Sequence, residues 1–256
     1  MHGEVEALSA VLVAFCALGL ILFAITLGVF MRRMLPEKHL SGDSKDVIKL
    51  ASALVATMAA LVTALLFAST RASYEATNSQ VGQLTASVIE LDRLLQDYGA
   101  EGVALRLALR QDVAAIVNTI WRDEAAPNQT AAQNSASEAQ VITRLRQLAP
   151  RDPLQTSLQA RASVVSNALA QIQFTLFAHP QDSLSKPFVF VLVLWLCFIF
   201  GTFAMSADAN GTMLSVLFFC ALSAASAIYL ILELGQPFDG LMQISSGALR
   251  HALPPL

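Results

Sequence analysis

Charge is what this sequence lacks most. Only 14% of its 256 residues are Asp, Glu, Lys or Arg, where an average soluble domain carries about 25%. Cysteine is scarce as well. Cys16, Cys197 and Cys220 all lie in apolar runs, with no C-x-x-C spacing and no nearby His, so neither a disulfide framework nor a zinc site is supported. His2, His39, His179 and His251 are scattered without metal-ligand spacing and read as solvated surface histidines. No P-loop, no G-x-S-x-G, no paired catalytic carboxylates and no Rossmann glycine pattern occur. The expectation is a protein that is not an enzyme, with no catalytic, cofactor-binding or metal residues. A net charge of −3 and a pI near 5.8 give no footprint for a nucleic-acid partner.

What is present is apolar. Hydrophobic residues make up 55% of the chain and the mean hydropathy is +0.57, the range of a membrane protein. A membrane span needs about 20 mostly apolar residues. Four runs qualify: Leu8 to Met31, Leu50 to Thr70, Phe188 to Met205, and Thr212 to Leu234. The first is preceded by Glu4 and Glu6 rather than by basic residues and is too long for a signal-peptide core, so it reads as a span. Each should be a helix, since lipid offers no partner for the backbone. Ser206 to Gly211 is a tight turn that pairs the last two spans as an antiparallel hairpin. Pro36 stops the first helix, Gly42 marks a turn, and Asp43 or Ser44 can cap the second.

The charge that does exist is concentrated there. Arg32, Arg33, Lys38, Lys45 and Lys49 crowd one short loop beside two span ends, the setting in which basic residues fix topology. Loop 32–49 is therefore expected to be cytoplasmic, and the N-terminus, the long insert and the C-terminus extracytoplasmic.

Residues 71–185 form that insert. Tyr74, Thr77, Val81, Leu84, Val88, Leu91 and Leu95 alternate at spacings of three and four, a heptad seam running straight out of the second span. A further helix is predicted over about Ala100 to Asp123, with Leu105, Leu109, Val113, Ile116 and Ile120 on one face. Ala125 to Ser137 reads as a flexible tip, Glu138 to Leu148 as a short helix, and Leu154 to Ala178 as the return helix with Leu158, Ala162, Val165, Leu169, Ile172 and Leu176 in its seam. The predicted fold is an all-α membrane protein: four transmembrane helices with a soluble up-and-down helical bundle inserted between the second and third. Its parts are an N-terminal membrane hairpin (1–70), the bundle (71–185), a C-terminal membrane hairpin (186–235) and an amphipathic segment (236–256).

Several polar side chains in or beside the spans are candidate pore or gating residues. The second span carries a small residue every fourth position, Ala56, Ala60, Ala64 and Ala68, with Thr57, Thr63 and Thr70 elsewhere around the helix. One reading has the hydroxyls facing a pore; the other has them bonding back to their own helix. On the fourth span Ser215, Ser226 and Glu233 fall within about 20° of one face. Glu233 is the most nearly intramembrane acid, a type of residue treated as functional by default. Cation attraction, gating and pairing with Arg250 or Lys186 are its open roles. In the C-terminal piece, Phe238, Leu241, Met242, Ser245, Leu249 and Ala252 share one side of a helical wheel. That describes an interfacial helix, or a re-entrant segment with Ser245 and Ser246 facing water.

Two stretches carry a resemblance. LPEKHLSGDSKDVIKLASALVATMAALVTALLFAS (Leu35 to Ser69) resembles the signature of the bestrophin-like four-span bacterial proteins, and LILELGQPFDGLMQISSGALRHAL (Leu230 to Leu253) resembles that family's second signature. The resemblance implies a bacterial inner-membrane location and kinship with bestrophins, which are pentameric anion channels. It carries no individual bestrophin residue onto this chain. The leading expectation is a homo-oligomeric ion channel or pore with the lipid bilayer, further copies of itself and inorganic ions as partners, because one four-span chain is too thin to enclose a water path. A receptor or regulatory protein whose bundle binds a ligand is the alternative. A scaffold or envelope-assembly role is the third.

Overall fold

The computed structural model describes residues 2–34, 42–121, 143–178, 186–206, 210–238 and 240–253. The described residues are helical with short connections, and none of them forms a strand. In chain order the helices are α1 (His2–Met34), α2 (Gly42–Tyr98), α3 (Gly102–Ile120), α4 (143–147), α5 (Pro153–Ala178), α6 (Lys186–Ser206), α7 (Gly211–Leu234) and α8 (Gly247–Arg250). Four stretches are long and apolar enough to cross a membrane: Ala10–Met34 in α1, part of Asp46–Tyr98 in α2, Pro187–Ser206 in α6 and Gly211–Leu234 in α7. The basic loop is described only at its ends, and Pro36, Lys38, His39, the expected tip at Ala125 to Ser137, and most of the turn after Ser206 lie outside the described residues. The second helix starts at Gly42, so Asp43 and Ser44 fall within its first turn rather than before it.

α2 is a single helix of 57 residues, roughly 85 Å long at 1.5 Å per residue. Its C-terminal half is built on the expected seam. Val81, Leu84, Val88, Leu91 and Leu95 are buried, with Tyr74 packed at the edge of the same core. Each fully buried Leu here contributes about 2 kcal/mol by leaving water. α2 ends at Gly99, whose φ of 100° needs a residue without a Cβ. Gly102 then lies so close to the Leu95 carbonyl that any side chain would collide, and α3 turns back along α2. Leu105, Leu109, Val113, Ile116 and Ile120 all face inward, as their spacing predicts.

α5 begins at a proline, with the Asp152 carboxylate accepting the Gln155 amide at 2.6 Å. It packs along α2 with Ala162, Val165, Leu169 and Leu176 buried. The far end is pinned by polar contacts. Arg151 Nη2 donates to Glu101 Oε1 at 2.8 Å, and Gln159 Nε2 donates to the Leu145 and Leu148 carbonyls at 2.9 and 3.0 Å.

The apolar helices pair differently from their order in the sequence. α1 and α2, expected as one hairpin, are not principal partners. α1 packs on α6 and then α7, and α2 packs on α6 and α7, so the later pair lies between the two earlier helices. The closest approach is α1 on α6. A side chain on Gly28 would run into the Gly201 carbonyl and Ala204, while Gly201 sits against Ala24. The register advances in the same sense on both helices, so they run parallel. Glycine makes this contact because only a residue without a Cβ lets two helix backbones come so close, the kind of packing that holds apolar helices together.

Candidate functional site

The C-terminal piece is where the structure departs furthest from expectation. Only Gly247–Arg250 is helical, so residues 236–253 are not an amphipathic helix. The chain caps α7 at Gly235, turns through Gln236 and Pro237, and reverses at Gly240 with φ 86°. The residues that share one wheel face are therefore split. Phe238 and Leu249 enter the core of the insert, whereas Leu241 and Met242 are exposed. The hydrophobic pattern suited a helix, but the core offered by α2 and α3 takes only alternate parts of it.

Glu233 organises this turn. It is 2% exposed, in the last turn of α7. Its Oε1 accepts the backbone amides of Leu241 and of Met242, the latter at 3.2 Å. Tyr229, one turn earlier, also interacts with the carboxylate. A Cβ on Gly240 would strike that carboxylate, so the reversal and the acid fit only with glycine there. Two backbone amides are the kind of donors a buried carboxylate requires. Glu233 thus acts here as an internal cap for a reverse turn. Arg250, offered as its partner by the sequence, directs Nε to Ser246 Oγ at 2.9 Å.

Two side chains outside the piece bind it from the insert. Tyr74 Oη donates to the Met242 carbonyl at 3.0 Å, and Trp121 Nε1 donates to the Ile244 carbonyl at 2.6 Å. The Trp121 ring meets Phe238 edge-on, with centroids 5.5 Å apart. The end of α7 is in this way strapped to the foot of α2 and α3.

The other sequence candidates do not converge on one place. Thr57 is exposed, Thr63 half-buried and Thr70 buried. Their hydroxyls donate to carbonyls of their own helix: Thr57 to Leu54 at 2.8 Å, Thr63 to Ala59 at 2.7 Å, and Thr70 to Leu66 and Phe67 at 3.0 and 3.1 Å. Ser215 and Ser226 are exposed on α7 and bond back in the same way, to Gly211 and Leu222. They share a helix face with Glu233 but not its surroundings, because only the acid is covered by the turn. Ser245 Oγ accepts the Gly247 amide at 3.1 Å, and Ser246 precedes α8. Of the small-residue stripe, Ala56 is half-buried and Ala60, Ala64 and Ala68 are exposed. Among the described residues no three His, Cys, Asp or Glu side chains cluster as metal ligands.

Sequence reasoning missed three features. Ser52, 1% exposed, donates to Thr202 Oγ1 at 3.0 Å and ties α2 to α6. Its spacing of four and seven from Ala56 and Ala59 was the available signal. Asp92 and Arg106 form a buried bidentate pair, Nε to Oδ1 at 2.8 Å and Nη2 to Oδ2 at 2.9 Å. Hydrogen bonding to Asp92 pushes the Arg106 guanidinium further up. Asp92 stands four residues after the seam residue Val88, a position that faces the core. Tyr74 was expected only as part of the seam, and Trp121 lies within the predicted helix over Ala100 to Asp123 with no role of its own; neither was expected as an anchor.

A search of curated proteins and a search of solved structures each returned no match. A scan of family models returned one that spans both pairs of apolar helices, the insert between them and the Glu233 turn. That model is the Bestrophin-like domain, matched over residues 8–249, and the chain belongs to this family.

Proposed function

We propose that this protein is a homo-oligomeric membrane channel or pore, with α1, α2, α6 and α7 crossing the bacterial inner membrane and the bundle of α2 to α5 standing outside it. The observation that carries the reading is family membership across 8–249, which includes every apolar helix and the insert. By analogy with bestrophins the conducted ion is an anion. The uncovered faces support assembly. Phe15, Phe23, Phe190, Phe198 and Phe219 are exposed on α1, α6 and α7, and bulky side chains of this kind suit lipid. α2 likewise exposes Leu54, Met58, Leu61 and Leu65, which suit lipid, and beside them a small stripe of Ala60, Ala64 and Ala68 with Thr57, which suits another helix. Because the hydroxyls of Thr57, Ser215 and Ser226 already have helix carbonyls as acceptors, these faces tolerate either water or protein. The cluster of Arg and Lys at the α1–α2 loop supports a cytoplasmic loop and an extracytoplasmic insert. No residue is assigned a catalytic role.

The test is mass and flux on the same preparation. Purified protein in nanodiscs is expected to be oligomeric, and in liposomes to pass chloride in preference to potassium. A monomer that passes no current would sink the channel reading. Cysteine accessibility from each side of sealed vesicles tests the orientation.

One observation favours the alternative, a receptor or regulator. The strap from Glu233 to Tyr74 and Trp121 joins the end of α7 to the bundle, so a ligand on the bundle would have a mechanical route to two spans. A ligand-induced thermal shift without ion flux would select it.

A further inference from the structure

Leu241 is 87% exposed, the most exposed large hydrophobic side chain among the described residues, and Met242 beside it is 42% exposed. An exposed Leu alone needs no explanation. This one is held out by a built turn. Gly240 at φ 86° reverses the chain, and the buried Glu233 carboxylate fixes the amides of Leu241 and Met242 behind the tip. The backbone is committed to presenting Leu241, which touches little of the protein, with Met242 partly uncovered beside it.

Where the tip stands is set by two contacts to two different helices. The Leu241 amide is bonded to the last turn of α7, so its backbone lies within one side-chain length of the end of that apolar helix. The Met242 carbonyl is bonded to Tyr74, which lies about one turn beyond Arg71, the first charge after the apolar half of α2. Both place the pair at one level, where the apolar run ends and polar sequence begins. On the reading of α7 and α2 as membrane-crossing, that level is the boundary between hydrocarbon and headgroups.

We propose that Leu241 and Met242 form a lipid hook: a preformed apolar tip that enters the bilayer interface beside the end of α7. The occupant is the lipid surface rather than a second copy. At this depth apolar side chains gain by leaving water while the turn's polar backbone stays within reach of hydrated headgroups. Glu233 and Gly240 are positioning residues for the hook, and Tyr74 and Trp121 link its depth to the foot of the bundle.

The test uses the full chain with Cys16, Cys197 and Cys220 replaced by Ala and one cysteine returned for an environment-sensitive fluorophore. The positions are Leu241→Cys, Phe219→Cys in the middle of α7, and Arg151→Cys at the far end of the bundle, whose side chain is 80% exposed. Leu241 is exposed enough for its replacement to leave the fold intact. In phosphatidylcholine–phosphatidylglycerol vesicles, the Leu241 label is expected to emit blue of the Arg151 label. It should be quenched by lipids spin-labelled near the headgroup and spared by iodide. Quenching by iodide but not by lipid would overturn the hook, while lipid quenching at Phe219 would still uphold the span. A Leu241 label shielded from both quenchers would assign the tip to a protein contact and also overturn it. A Phe219 label open to iodide would remove the membrane reading of α7, and the hook with it.

Discussion

Glu233 shows how much one buried carboxylate can hold. A charged acceptor that keeps two amides is worth about 1.5–3 kcal/mol per bond removed, because the donors are left unpaired in a dry site. Glu233→Ala is expected to free residues 236–253 from the bundle, seen as faster proteolysis in that segment and a lower melting temperature. Glu233→Gln keeps an acceptor and should lose less. An equal loss in both variants would point to the charge, not the acceptor, as the stabilising feature. Tyr98 makes the opposite case. Its hydroxyl is buried without a partner, and burial, then the Glu101 and Asp152 carboxylates, raise its phenol above the ordinary 10.0. The folded protein therefore holds the phenolic proton more tightly than the unfolded chain. The stability this supplies is fully present below pH 10 and is lost as pH rises through the raised value. Tyr98→Phe is expected to be neutral or stabilising at pH 7 and to flatten the loss of stability above pH 10, measured by denaturation at stepped pH.

Helix pairing makes its own demands. The parallel contact of α1 on α6 exists because Gly28 and Gly201 bring the two backbones together. Gly28→Leu must push the helices apart, and over-packing of this kind costs about 1–3 kcal/mol. A lower melting temperature in detergent should report it, whereas Gly19→Leu, at a position with open space, should be tolerated. Between α2 and α3 the joint is the Asp92–Arg106 pair, whose side chains are 4% and 12% exposed. Removing one partner strands a buried charge at a cost of about 3–5 kcal/mol, while replacing both with apolar residues of similar volume is often neutral. Asp92→Leu or Arg106→Met alone should loosen the α2–α3 hairpin in hydrogen exchange, and the double variant should recover most of the loss. A double variant as unstable as the singles would mean that the pair specifies the hairpin geometry as well as neutralising itself.

Across the whole molecule, the C-terminal piece joins the core of the insert to the last apolar helix. Phe238, Ile244 and Leu249 belong to the same core as Leu84 and Leu109, yet they follow directly on the last apolar helix. Trp121→Ala removes both the hydrogen bond to Ile244 and the ring contact with Phe238. It is expected to uncouple the piece, so that the bundle melts at a lower temperature than the apolar helices. A single cooperative transition at the original temperature would show that the strap adds no stability.

The helices of the insert were readable in advance because their signal is local. Val81 to Leu95 and Leu105 to Ile120 repeat at helical spacing, and removing that face from water is favourable whatever packs on it. The four apolar runs were readable for a similar reason, since length and lack of charge are counted along one segment. Even the hydroxyls of Thr57, Thr63 and Thr70 followed a local rule, each bonding within its own helix. The partners were not readable. That α1 lies on α6 rather than on α2 depends on where Gly28 meets Gly201, 173 positions away in the chain. That Glu233 caps the Leu241 turn depends on a left-handed Gly240 and on Tyr74 and Trp121 waiting at the foot of the bundle. Periodicity along the chain fixes which face of a helix is buried, but the identity of the covering surface is a property of the packed whole, because close contact selects among many faces that are equally apolar.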